Sequence, residues 1–301
     1  MVQSTDQHHE DSRIEKRVLI TGATGLLGRF MAARLEAAGW LVFALPHASL
    51  DISNVENVRE KFVESQPQLV INCAATADVD RCEREPAWAY AVNEEGPRLL
   101  AQQCNEYEAD LVHVSTDYVF DGLKEGLYTQ EDETNPLSVY GQTKLAGELA
   151  VRNEARRFYI FRTSWIFGPG GKNFGSRVVQ LARNGAHIRA VTDQTSIPTY
   201  APDLAARIEE VINLGAHGLY HVTNTGPTSW FDFARFALDL AHLSDIPIEP
   251  VTREALRQIA PRPHNTPMRC LVSEKLGLRP LRHWREGLEE FVRDHEMKAV
   301  S

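Results

Sequence analysis

Short apolar runs alternate with stretches of helical apolar spacing along the first half of the chain. KRVLITG (16–22) is an apolar run closed by glycine, which predicts a buried parallel strand. GLLGRFMAARLEAAG (25–39) spaces its apolar residues for a helix, with Gly39 as a stop. WLVFAL (40–45) predicts a second strand, and SNVENVREKFVESQP (53–67) a helix capped by Ser53 and closed by Pro67. The pattern continues with a strand in QLVINCAA (68–75) and a helix in AWAYAVNEEGPRLLAQQCNEY (87–107), bent near Gly96–Pro97. ADLVHVST (109–116) and RFYIFRTSWIF (157–167) predict strands on either side of a helix in LSVYGQTKLAGELAVRNEA (137–155). Such alternation predicts an α/β fold built on a doubly wound parallel sheet.

After residue 168 the periodicity loosens and prolines accumulate. GGKNFGSRVVQLARNG reads as a loop and a helix, and IPTYAPDLAARIEEVIN as a turn into a helix that packs back on the first half. GLYHVTN predicts a strand, TSWFDFARFALDLAHL a helix capped by Thr228 or Ser229, and LRHWREGLEEFVRDH a closing amphipathic helix. The organisation expected is a flexible tail over 1–15 and a dinucleotide domain over 16–168 with a return segment near 190–215. A smaller, interleaved C-terminal unit over 169–301 completes it.

Composition narrows the function. Of 301 residues, 43% are hydrophobic and 24% charged, enough for a substantial core. The net charge of −9 and the absence of a Lys/Arg run argue against a nucleic-acid or anionic-membrane partner, which needs a basic face. No apolar run approaches the ~20 residues of a membrane span. His8 and His9 sit in the polar opening stretch and read as solvated residues. Cys73, Cys82, Cys104 and Cys270 form no CxxC pair and no zinc-type spacing, so reduced thiols in a cytoplasmic protein are expected, with no metal.

In doubly wound sheets ligands bind beyond the carboxyl ends of the strands. Four successive predicted strand ends here carry TGATGLLG, NCAATADVD, VSTDYVF and RTSWIFG, all rich in glycine and small polar residues. Gly22, Gly25 and Gly28 follow the first strand as G-x-x-G-x-x-G and open a helix. That arrangement lets backbone and unpaired N–H groups approach a pyrophosphate. The second strand runs into LPHASLDIS with no acid before Asp51, so nothing there repels a 2′-phosphate; Arg29 either reaches one or is a solvated helix residue, and His47 is open in the same way. The reading leans to NADPH over NADH. Asp51 and Ile52 either flank an adenine or begin the next helix.

Tyr140 and Lys144 lie four residues apart in VYGQTKLAGE, hence on one helix face. An ammonium there stabilises a tyrosinate and lowers the phenol from its usual value of ~10 toward neutrality, making it an acid for carbonyl–alcohol chemistry. Ser115 and Thr116 place hydroxyls at the end of the preceding strand, where one can hold a carbonyl oxygen.

Together the glycine loop, NCAA, STDYVFDG, YGQTKLAGE and FRTSWIFG resemble the extended short-chain dehydrogenase/reductases. INCAATADVDRCEREPAWAYAVN, NPLSVYGQTKLAGE, IFRTSWIFGPGGKNF, DQTSIPTYAPDLA and GLYHVTNTGPTSWFDFA resemble, more narrowly, the dTDP-4-dehydrorhamnose reductase family. The resemblance implies a Rossmann-type fold with a substrate domain, and hydride transfer from NADPH or NADH to the C4 ketone of dTDP-6-deoxy-L-lyxo-4-hexulose. The product would be dTDP-L-rhamnose, for cell-surface polysaccharide. By position it makes Tyr140 the proton donor, Lys144 its tuner and Thr116 the polarising hydroxyl, 24 residues before Tyr140. It implies cofactor contacts from Gly22, Thr24, Gly25, Leu26, Leu27, Gly28, Arg29, Asp51, Ile52, Cys73, Ala74, Ala75, Thr76, Asn93, Ser115, Tyr140, Lys144 and Trp165. Substrate contacts would come from Thr76, Val79, Asp117, Tyr140, Trp165, Asn173, Phe174, Thr199 and Arg262, with Arg269 a further local cation. A homodimer is also implied. The chain departs from the family in RPHNTPMRCLVSEKLGL (262–278), with Thr266–Pro267 substituted and extra residues before Lys275–Leu276. TGATGLLGR and STDYVFDG resemble equally the NADP-binding regulatory beta subunit of methionine adenosyltransferase. The alternatives are therefore a non-catalytic partner protein, or a reductase or epimerase of another nucleotide sugar.

Overall fold

The computed structural model describes residues 15–171 and 173–300, with side chains as far as Arg293. The tail expected over 1–15, with His8 and His9, lies outside the described residues except for Glu15.

The first half runs β1 (Arg17–Thr21), α1 (Leu26–Ala37), β2 (Leu41–Leu45), α2 (Val55–Ser65) and β3 (Leu69–Asn72). It continues through α3 (Val79–Arg84), α4 (Pro86–Tyr90), α5 (Gly96–Glu106), β4 (Asp110–Thr116), α6 (Val139–Glu154) and β5 (Phe158–Thr163). The second half holds β6 (Ile166–Phe167), α7 (Phe174–Arg183), β7 (Ile188–Val191), β8 (Thr195–Ser196), β9 (Thr199–Tyr200) and α8 (Ala201–Leu214). After these come β10 (Gly218–His221), β11 (Thr228–Ser229), α9 (Trp230–Leu240), β12 (Ile248–Val251), α10 (Leu271–Lys275) and α11 (Trp284–Val300).

Six parallel strands form the main sheet in the order β10-β5-β4-β3-β1-β2. The chain steps from β1 to β2 on one side and to β3 on the other, so the switch point lies beside β1, where such folds open a crevice. Side chains alternate across the pleat. Val18 and Ile20 enter a core with Met31 of α1 and Leu204 and Ile208 of α8. Leu19 between them points into the opposite core with Phe62 of α2 and Leu100 of α5. Strands buried on both faces explain why they read as continuous apolar runs. A third core joins α7, α9 and α11 to the parallel pair β7–β12 through Val178, Phe233, Trp284 and Phe291.

Three local expectations change. Asn54, not Ser53, caps α2, its side chain accepting from the Asn57 N–H, because the Ser53 hydroxyl is drawn to Asp51 at 2.7 Å. The bend expected near Gly96 is a π turn, Ala91–Glu95, between α4 and α5. The strand expected over 157–167 breaks after Thr163: Trp165 adopts a left-handed backbone, φ 43°, before β6 resumes pairing with β9. No expectation covered α3, β7 or β12.

Candidate active site

A cleft of about 440 Å³ opens at the carboxyl ends of β1, β3, β4 and β5. Its lining takes Gly25, Leu26, Leu27 and Gly28 from the glycine loop, and Cys73, Ala75 and Val79 from the chain after β3. Ser115, Thr116, Asp117 and Tyr118 enter from the end of β4, Tyr140 and Lys144 from α6, and Thr163 to Ile166 from the end of β5; Trp230 closes the ring.

The glycine loop is built for backbone approach. Gly22 has φ 60°, and a Cβ on it would lie 2.7 Å from the Ala74 nitrogen; one on Gly28 would lie 2.5 Å from the Gly22 carbonyl oxygen. Gly25 offers no side-chain cap to α1, leaving first-turn N–H groups open to a ligand. Thr24 and Arg29 are exposed, and the Arg29 guanidinium lies beside Gly170.

The loop after β3 is pinned from below. Thr21 donates to Asn72 at 2.7 Å, and the Ala74 N–H donates to both, at 3.2 Å each. Asn93, buried in the π turn, accepts from the Thr76 N–H at 2.9 Å and donates to the Thr76 carbonyl and the Thr143 hydroxyl at 3.1 Å each. Asn93 therefore shapes the site from behind it. Asp51 accepts from the Ser53 N–H and hydroxyl, and Ile52 is a core residue.

Ser138 caps α6, so Tyr140 sits in the first turn with Lys144 one turn further along the same face. Lys144 donates to the Val114 carbonyl at 2.7 Å and is buried, which pulls its pKa from 10.5 down to about 8. Burial pushes the Tyr140 phenol well above its usual range, and its hydrogen bond with Thr116 pulls it partly back. The expected lowering toward neutrality is thus not what this arrangement does. Desolvation dominates, and the phenol is kept in its proton-carrying form. Thr116 donates to Asp117 at 3.1 Å. Asp117 also accepts from Ser196 at 3.1 Å and from Thr266 at 2.5 Å, and burial raises its carboxyl from 3.8 to about 6.

Trp165 stacks on Trp230 with ring centroids 3.6 Å apart and planes within 14°. Phe174 meets Trp230 edge-on at 4.6 Å. Trp230 donates its indole N–H to Gln194 at 3.2 Å, Gln194 donates to the Tyr118 hydroxyl at 3.2 Å, and Tyr118 lies edge-on to Tyr140 at 5.6 Å. Sequence reasoning missed Tyr118, Gln194 and Trp230. The available signal was an aromatic at the first position of α9, in line with that helix's buried stripe of Phe233, Ala234, Ala237 and Leu238 yet itself only half-buried.

Several expected contacts sit outside the cleft lining. Asn173 caps α7 and donates to the Gly168 carbonyl at 2.8 Å. Thr199 is buried in β9, and Arg262 pairs with Asp80 at 2.8 Å, as Arg269 does with Glu274 at 2.6 Å. The atypical segment is laced to its surroundings: the Tyr128 N–H donates to the Pro267 carbonyl, and the Thr266 N–H to Thr195. Among the described residues no group of three or more His, Cys, Asp or Glu side chains is placed to hold a metal ion.

The family model of the RmlD substrate binding domain matches residues 16–297. The chain belongs to this family. It is 41% identical over 280 residues to the dTDP-4-dehydrorhamnose reductase of Streptomyces griseus, covering 91% of this chain and 92% of that one. Spore coat polysaccharide biosynthesis protein SpsK of Bacillus subtilis (strain 168) is 39% identical over 280 residues, spanning 92% and 97% of the two chains. Among solved structures, dTDP-4-dehydrorhamnose reductase from Bacillus anthracis str. Ames, in complex with NADP, superposes with a TM-score of 0.90 at 34% identity. That match covers 93% of this chain and all of the other. The family's fold and the doubly wound sheet described above agree.

Proposed function

We propose that the chain is an NADPH-dependent reductase of dTDP-4-dehydrorhamnose, turning the C4 ketone into the alcohol of dTDP-L-rhamnose. The observation that carries the reading is one cleft joining the glycine loop to Tyr140, Lys144 and Thr116. Two features fit a dinucleotide there. A Cβ at Gly22 or Gly28 would fill the cradle, and the buried Thr163 hydroxyl and Trp165 indole N–H at the cleft have no protein partner. Gly22, Gly25, Gly28 and the N-terminus of α1 would hold the pyrophosphate, with Thr24, Leu26, Leu27 and the Cys73–Thr76 loop along the cofactor. Arg29, which makes no ion pair among the described residues, would meet a 2′-phosphate. In this reading residues 16–168 form the dinucleotide domain, and 169–301 mainly the substrate domain.

The bound cofactor supplies the hydride. As the ketone oxygen gains negative charge, Tyr140 gives it a proton, and the Lys144 ammonium stabilises the tyrosinate left behind. Thr116 holds the oxygen in place. The sugar lies against Val79, Asp117 and Trp165. The same proposal places the protein in the cytoplasm and gives it the form of a homodimer; no helix among the described residues is long and apolar enough to cross a membrane.

The test follows NADPH and NADH absorbance with enzymatically made dTDP-6-deoxy-L-lyxo-4-hexulose. Wild-type oxidation that falls by about 10²- to 10⁴-fold in Tyr140→Phe, with cofactor binding retained, is the expected result. Cofactor binding without oxidation in the wild type would overturn the reading.

A further inference from the structure

Tyr140 and Lys144 have a third member on their helix face. Glu148 lies one turn beyond Lys144 and is 1% exposed. Arg162 of β5, 3% exposed, grips it with a fork: Nε donates to Oε1 at 2.9 Å and an Nη to Oε2 at 2.7 Å. Ser115 donates its hydroxyl to the same carboxylate. Arg162 is completed by His221, 3.5 Å from its other Nη, and by the Phe120 ring at 5.2 Å. Stability is a poor explanation for such a pair, because desolvating two ions commonly cancels their attraction. Its position offers a better one.

Lys144 is surrounded by groups that carry no negative charge of their own. From the end of β3, Cys73 is half-buried at the cleft, and desolvation pushes its thiol up to about 12. From β4, burial and Lys144 itself hold His113 neutral, and Val114 offers only a carbonyl. On its own helix, Tyr140 keeps its proton. Asp117 bears on Tyr140 and is not among the groups that act on Lys144. Glu148 is the anion that opposes the desolvation of Lys144, with the Arg162 guanidinium behind it on β5.

We infer that Glu148, clamped by Arg162 and Ser115, is a positioning residue that keeps Lys144 in its ammonium form for the reaction. The inference rests on the reductase reading above. Lys144 works protonated, so turnover falls as pH rises through its pKa. Removing the Glu148 charge lowers that pKa, and the fall begins at lower pH. The unpaired Arg162 adds to the effect by repulsion, so removing it as well restores part of the loss.

The experiment measures kcat against pH for the full chain as wild type, Glu148→Gln, Glu148→Asp and the double variant Glu148→Gln/Arg162→Met. The basic limb moves down by about one pH unit in Glu148→Gln, as expected for loss of a neighbouring opposite charge. It moves back part of the way in the double variant and stays near wild type in Glu148→Asp. A uniform drop in kcat with the limb unmoved, or a double variant shifted further down than the single, overturns the inference. If Glu148→Gln does not fold, the charge-balanced double variant against wild type decides the same question: an unshifted limb overturns it. NADPH affinity against pH, read by nucleotide fluorescence, separates the two readings. A wild type that binds NADPH but oxidises none refutes the reductase, while an affinity that fades at lower pH in Glu148→Gln still supports the role of Glu148.

Discussion

Replacing Asp117 by asparagine isolates a charge that the fold holds at a cost. The carboxylate accepts three hydroxyls, from Thr116, Ser196 and Thr266, yet burial outweighs them and its pKa rises from 3.8 to about 6. A raised carboxyl means that the folded state binds the proton more tightly than the unfolded chain. Its contribution is therefore most favourable at low pH and worsens as pH rises through the window from 3.8 to about 6. A shift of this size corresponds to about 3 kcal/mol, of which about 2 kcal/mol falls between pH 4.5 and 7.5. Asparagine cannot ionise. It also disturbs the three hydroxyls, but that loss is common to both pH values and cancels in the comparison. Urea denaturation of wild type and Asp117→Asn at the two pH values should show the variant gaining about 2 kcal/mol on wild type from the lower to the higher. Parallel stability curves would refute the reasoning.

Two further substitutions test the frame around the cleft. In Gly147→Ala the new Cβ would lie 2.1 Å from the Asn93 carbonyl oxygen, so α6 and the π turn must part. A loss of about 1–3 kcal/mol in denaturant unfolding is expected, and unchanged stability would show that the close approach is not needed. Trp230→Ala removes the stacking partner of Trp165 and the donor to Gln194. A rise of about tenfold in KM for the sugar nucleotide should follow, with NADPH affinity unchanged; equal losses for both ligands would place Trp230 on the cofactor side.

The parts of the fold that obey a period were legible. Val18, Leu19 and Ile20 fill two cores by simple alternation, and such strands announce themselves as apolar runs. The catalytic candidates were legible because each sits at a strand end or a helix start, positions that the alternation itself marks. What was hidden depends on distant pairing. The Asp117–Thr266 bond joins residues 149 apart, and Gln194 meets Tyr118 across 76 positions. Neither has a local pattern to betray it. Glu148 shows a different limit: its spacing from Lys144 was visible, but its meaning depends on Arg162, placed opposite it by the sheet rather than by sequence distance.

The backbone turn at Trp165 links these hidden contacts. A tryptophan in the left-handed region costs on the order of 1–3 kcal/mol and persists only where its surroundings insist on it. Here the turn ends β5 and lays the indole flat on Trp230, the first residue of α9. From Trp230 the contacts return through Gln194 and Tyr118 to the ring of Tyr140. Tyr140 is therefore braced from two sides: from α6 by its own helix, and from the second half of the chain through the buried Gln194 amide. Phe174 at the start of α7 packs on the same Trp230, so a shift of α7 or α9 on binding a sugar nucleotide would reach Tyr140 through packed aromatic rings rather than through solvent. By that route the second half of the chain, which adds few polar groups to the cleft, still sets where the Tyr140 ring stands.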